Sequence, residues 1–168
     1  MQAQPTLLNS CALAATAAEA RYRINAPEPE TRATRIIALD DGAEAIVRRE
    51  SERPWGGAHF LVHRSCLPQP NGNDSNVELV ATDGAPKRLD EELADADVVL
   101  MVATSDASAD AAGAIGRACA DRRVMTAGIV MPDGNANRAI VALRPFAVVL
   151  LVSPDNADIR ELLTALRA

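Results

Sequence analysis

The sequence predicts a three-layer α/β domain built on a mostly parallel sheet, and three observations lead to it. Apolar runs at 98–103, 124–130 and 147–152 each end in a small or polar turn. An Ala/Gly-rich helical stretch, 107–121, separates the first two runs. Strands this apolar are expected to be buried on both faces, and their alternation with helices calls for parallel pairing. In such sheets ligands sit at the carboxyl ends of the strands. The loops there read TSDASAD, PDGNAN and SPDN. They are acidic where a nucleotide-binding loop is usually glycine-rich.

Taken in order, residues 1–25 form an N-terminal segment. Apolar positions recur at helical spacing through Leu7, Leu8, Cys11, Ala15 and Ala18, so 1–22 reads as a lone helix. Residues 26–32 are an extended linker, because Pro27 and Pro29 forbid helix. A single α/β domain then fills 33–168. Its first strand is 35–39, followed by the turn Asp40-Asp41-Gly42 and a helix over 43–52 that Pro54 and Gly56-Gly57 stop. Strands follow at 58–63 and 77–81, separated by a turn-rich loop over 68–76. A short helix at 86–94 leads into the strand at Val98. The final helix, 156–166, has Asp155 or Asn156 as its cap. The predicted order is βαββαβαβαβα.

Composition limits the function classes. A chain of 168 residues supports one domain with a sizeable core. Hydrophobic residues make up 48%, but no run is long enough to span a membrane. Aromatics are confined to Tyr22, Trp55, Phe60 and Phe146, so the core must be built from Val, Ile, Leu and Ala. A net charge of −6 and the lack of stacking platforms argue against nucleic acid as a partner. Lys87 is the one lysine, a bias that reflects a GC-rich coding sequence rather than arginine chemistry. Cys11, Cys66 and Cys119 are odd in number and form no CxxC pair, which points to a reduced, cytoplasmic compartment. Residues 7–18 faintly resemble a signal h-region, and LNSC a lipoprotein box. A secretory signal needs a charged n-region, however, and the first basic residue is Arg21.

Each chemically suggestive residue has a plainer structural reading. His59 and His63 stand four apart, but on a strand that spacing is about 13 Å. One zinc ion with bonds of about 2 Å cannot bridge it. Both are expected to pack on a strand face, and no metal site is assigned. Cys119, in an Ala-rich helix, reads as a small buried hydrophobe. After the strand at 98–103, Ser105, Asp106 and Ser108 open a helix, whose free N–H groups and partial positive charge suit phosphate. Asp106 and Asp110 would repel phosphate unless a divalent cation intervened. Otherwise Asp106 or Ser108 caps the helix, and Asp110 favours its dipole. Asp40, Asp41 and Gly42 stand where a dinucleotide-binding fold carries GxGxxG, and that fingerprint is absent. These carboxylates and Asp106 either meet around Mg²⁺ or act as turn formers and caps. Asp155 and Asn156 are turn residues that can also hydrogen-bond a purine edge.

The sequence from 96 onward, with ADVV at 96–99, AAGAIGRA at 111–118, TAGIV at 126–130 and VSPDN at 152–156, resembles the nucleotide-binding domain of the bacterial tubulin homologue FtsZ. LDEEL at 89–93 and the β-α-β start at 35 also fit, so the resemblance covers roughly 33–168. It implies a Rossmann-like, FtsZ N-terminal-like sheet, with Asp40, Asp41 and Gly42 at the first phosphate loop. It further implies Ser105, Asp106 and Ser108 at the tubulin signature loop, and Asp155 and Asn156 at the guanine side. The family's glycine-rich signature loop is replaced here by SDASAD, so close phosphate approach through glycine is lost. The sequence ends where that family's long central helix would start, so the resemblance implies a truncated, hydrolysis-dead relative. Three functions are compatible. The first is a non-catalytic interaction or scaffold domain, partnered by another protein or by further copies of itself, with no cofactor. The second binds a nucleotide or nucleoside (a guanine nucleotide, by the resemblance) with Mg²⁺ through Asp40, Asp41 and Asp106. The third is a small enzyme using these carboxylates as acid and base. No catalytic residue is assigned.

Overall fold

The apolar runs form the middle of the sheet. The computed structural model describes residues 30–64, 77–132, 134–153 and 155–168. The strands are β1 (Thr34–Ala38), β2 (Ala58–Arg64), β3 (Glu78–Ala81), β4 (Pro86–Arg88), β5 (Val98–Ala103), β6 (Met125–Val130) and β7 (Val149–Val152). The helices are α1 (Asp41–Ser51), α2 (Leu89–Ala94), α3 (Ala109–Arg122), α4 (Asn137–Leu143) and α5 (Ala157–Leu166). The helix expected at 1–22, most of the expected linker, Cys11, Cys66 and residues 68–76 fall outside the described residues; residues 30–32 are described and lie in no helix or strand.

The seven strands pair in the order β4-β3-β2-β1-β5-β6-β7. The β2-β1-β5-β6-β7 part is parallel, and β3 and β4 are antiparallel. Strand pleating sends successive side chains to opposite faces, and two cores result. Ile36, Ala38, Leu100, Val102 and Ile129 face α1 and α5, meeting Ala43, Val47, Ile159 and Leu163. Ile37, Leu39, Val99, Met101 and Val130 face α2, α3 and α4, meeting Leu89, Leu93, Ala112, Ile115 and Leu143. The α/β class and its three layers therefore stand.

Two expectations need correction. Residues 86–88 are a strand and not the first turn of a helix. Asp83-Gly84 makes a hairpin turn with Gly84 at φ 93, and Asp83 Oδ1 accepts the Ala85 N–H at 2.9 Å. Helix begins only at Leu89, where apolar side chains again point at the sheet. The run at 147–152 is expected to be covered on both faces like 98–103, yet β5 is buried throughout and β7 is not. β7 lies at the sheet edge with Val149 and Val152 about half exposed, because apolarity signals burial but does not say which strand ends the sheet.

α3 packs tightly. A Cβ on Gly116 would lie 2.3 Å from the Phe146 ring, so a hydrogen there lets the turn after α4 close onto the helix. The helix ends at Arg123, which takes the left-handed conformation at φ 59 that glycine usually fills.

Candidate functional site

Crossovers leave β1 and β5 toward opposite faces, α1 onto one core and α3 onto the other. The crevice beyond the carboxyl ends of these neighbouring strands is thus the topological switch point, where open α/β sheets bind ligands. Three residues fill it. Asp40 Oδ1 accepts the Ala43 N–H at 2.9 Å and the Thr104 hydroxyl at 2.6 Å. Its Oδ2 accepts the Thr104 N–H at 2.8 Å and the Ser105 N–H at 3.1 Å, with the Ser105 hydroxyl at 3.5 Å. One carboxylate therefore caps α1 and holds the loop after β5. These amides are the donors a helix N-terminus and its neighbouring loop would offer a phosphate.

Gly42 has a packing role at the same point. A Cβ there would stand 2.3 Å from Thr104 Oγ1, so glycine admits the threonine that binds Asp40. Asp41 is exposed in the first turn of α1. Asp106 does not cap its own helix. α3 is entered through a 3-10 turn at Asp106–Ser108, and the Ser108 hydroxyl donates to the Ser105 carbonyl at 2.7 Å. Asp106 Oδ1 instead accepts the Arg138 N–H at 2.6 Å and the Ala139 N–H at 3.3 Å, capping α4 from outside. At the last crossover Asp155 Oδ1 accepts the Ala157 N–H at 2.8 Å, and the Ser153 hydroxyl donates to Asp158. Asn156 is exposed and makes no side-chain cap on α5.

Of the residues singled out by sequence, Asp40, Gly42 and Ser105 come together. Asp106 turns to a different helix, and Asp155 is satisfied within its own turn. Among the described residues no group of three or more His, Cys, Asp or Glu side chains could hold a metal ion. An open cavity of about 380 Å³ lies farther along the same edge, lined by Ala109, Asp110, Asn137, Arg138, Val141 and Ala142.

The titratable groups with altered behaviour lie elsewhere. Burial pushes the Cys119 thiol up to about 11, against the smaller opposing pulls of Thr126 and Arg122, so it is protonated and inert near neutrality. Burial holds His63 below the ordinary histidine value, offset in part by a backbone hydrogen bond at Leu39. No local pattern points to Glu92, a buried carboxylate at the opposite end of the sheet. Its Oε2 meets Arg35 Nε at 2.9 Å and His59 Nδ1 at 3.0 Å, and its Oε1 meets Lys87 Nζ at 3.4 Å. Burial alone would raise its pKa, but His59, Arg35 and Lys87 together bring it below the usual carboxylate value. Arg35 and His59 are register partners on β1 and β2, so strand pairing assembles the cluster, and residues 57 apart in sequence are needed to see it.

Glu44 on α1 also lies below the ordinary value. Burial opposes this, and Arg48 and Arg64 outweigh it. Glu50, on the same helix, is buried beside Arg53 at 3.2 Å and Arg160 at 3.5 Å, which ties α1 to α5. Its Oε2 has no well-aligned hydrogen bond, so the Arg53 contact is one of charge alone. Comparison with protein-family models, curated proteins and solved structures finds no match to this chain.

Proposed function

We propose that this chain is a non-catalytic interaction domain on a nucleotide-binding type of fold, with its own Asp40 carboxylate standing where a ligand phosphate would bind. The observation that carries this reading is the set of hydrogen bonds from Ala43, Thr104 and Ser105 to Asp40. A phosphate entering the crevice would lose those donors to the carboxylate already bound and would meet its negative charge at short range. Asp106 adds a second negative charge at the next loop, where it serves α4. The acidic loops thus stand in place of glycine-rich ones for a structural reason, since the chain supplies its own anion to the starts of α1, α4 and α5.

The test is the thermal midpoint of the protein with GTP, GDP, ATP and NAD, each with and without Mg²⁺. A ligand bound to the native state at 100 times its Kd stabilises by about 2.7 kcal/mol, a readily measured shift. No shift is expected with any of them. A shift with guanine nucleotides would overturn the reading and establish a working nucleotide site.

A further inference from the structure

The two sheet edges differ. β4 presents Pro86, Lys87 and Arg88, residues that blunt an edge against further pairing. β7 reads VLLV, preceded by Val148, with neither charge nor proline. Val148, Val149 and Val152 are 73%, 46% and 50% exposed, and among the described residues β7 pairs only with β6. An apolar edge of this kind is a template for another strand.

Sequence and charge select what covers it. Residues 148–152, VVLLV, read nearly the same in both directions. Antiparallel pairing centred on Leu150 sets Val148 opposite Val152 and Val149 opposite Leu151. A two-fold axis normal to the sheet produces this pairing and keeps each face continuous with the same face of the second copy. Leu150 packs on the α4 side, so by strand alternation Val152 also faces that side. Val141 on α4 is 67% exposed and belongs to the layer the axis would bring against its own copy. Arg144 before β7 and Asp155 after it are both exposed. Antiparallel pairing brings each Arg144 toward the partner's Asp155, whereas parallel pairing would set like charges together.

We propose that β7 is a self-association edge, through which two copies of this chain join their seven-stranded sheets into one continuous antiparallel seam. This names the partner for the interaction role proposed above and rests on that reading.

Light scattering on the full chain, across a dilution series, tests it. Wild type is expected to be a dimer, and Val148→Lys with Val152→Lys a folded monomer by circular dichroism. Arg144→Asp and Asp155→Arg are each expected to weaken dimerisation by about tenfold or more, and the two together to restore it, because each places like charges in contact until both are exchanged. A monomeric wild type, a dimer that survives the two lysines, or a charge exchange without recovery would each overturn the proposal. A monomer without nucleotide response would overturn strand pairing and leave the interaction-domain reading. A nucleotide shift would overturn that reading whatever the oligomeric state.

Discussion

Replacing Asp40 by alanine isolates the contact on which the candidate site turns. The substitution removes the N-cap of α1, worth about 1 kcal/mol. It also strips Thr104 N and Ser105 N of a charged acceptor, and hydrogen bonds to charged groups contribute about 1.5–3 kcal/mol when buried. The crevice is only part-buried, so water recovers some of this second loss. The expected cost is therefore about 3 kcal/mol, read by urea denaturation at unchanged m-value. The freed amides then form an empty anion cradle, so phosphate should restore part of the loss in Asp40→Ala beyond its effect on wild type under the same conditions. A cost below about 0.5 kcal/mol, the range of ordinary surface substitutions, would refute the argument that Asp40 clasps β1 to β5. A full cost without phosphate recovery would refute the narrower claim that the amides are disposed to hold an anion.

Further outcomes follow from the same geometry. Gly42→Ala forces Thr104 off Asp40 and should cost about 1–2 kcal/mol, an overpacking penalty. In a Thr104→Ala background the same change should be near neutral, and a double-mutant cycle by urea denaturation reads the coupling. Asp106→Ala should lose about 1 kcal/mol by uncapping α4, equally in Mg²⁺ and in EDTA. A loss seen only with Mg²⁺ would restore the metal reading. His63 has its folded pKa depressed by burial, so its neutral form contributes stability above the ordinary value of 6.5, and this is lost as pH falls below it. Denaturation of His63→Gln should accordingly show a flatter stability profile just below that pH. The Glu44 and Glu92 carboxylates, also depressed, lose their contribution only below 4.5.

Much of the fold was legible in the chain because the relevant signals are local. β5 is apolar along its whole length and β6 is apolar but for Thr126, and Pro54 and Gly56-Gly57 mark the end of α1. The Asp83-Gly84 hairpin is equally local, but Pro86 and the acidic run at 90–92 also suit a helix start, so the sequence does not mark β4 as a strand. The candidate site divided along the same line. Asp40 at a strand end before a helix reads as a cap, and it is one. Its grip on Thr104 and Ser105 spans 64 and 65 residues and exists only because β1 and β5 are neighbours in the sheet. Asp106 likewise sits where its own helix begins, yet caps α4, which packs beside that turn.

The sequence by itself determined the class of fold, the alternation of strand and helix, and which loops stand at the carboxyl edge. Period and apolarity are properties of a few consecutive residues, and each element must satisfy its own backbone and bury its own stripe. Only the tertiary structure decided that the acidic loops satisfy one another, that Glu92 gathers Arg35, His59 and Lys87, and that β7 is an open edge. Those facts depend on which strands and helices become neighbours, and that choice is made by burying all of the apolar faces at once.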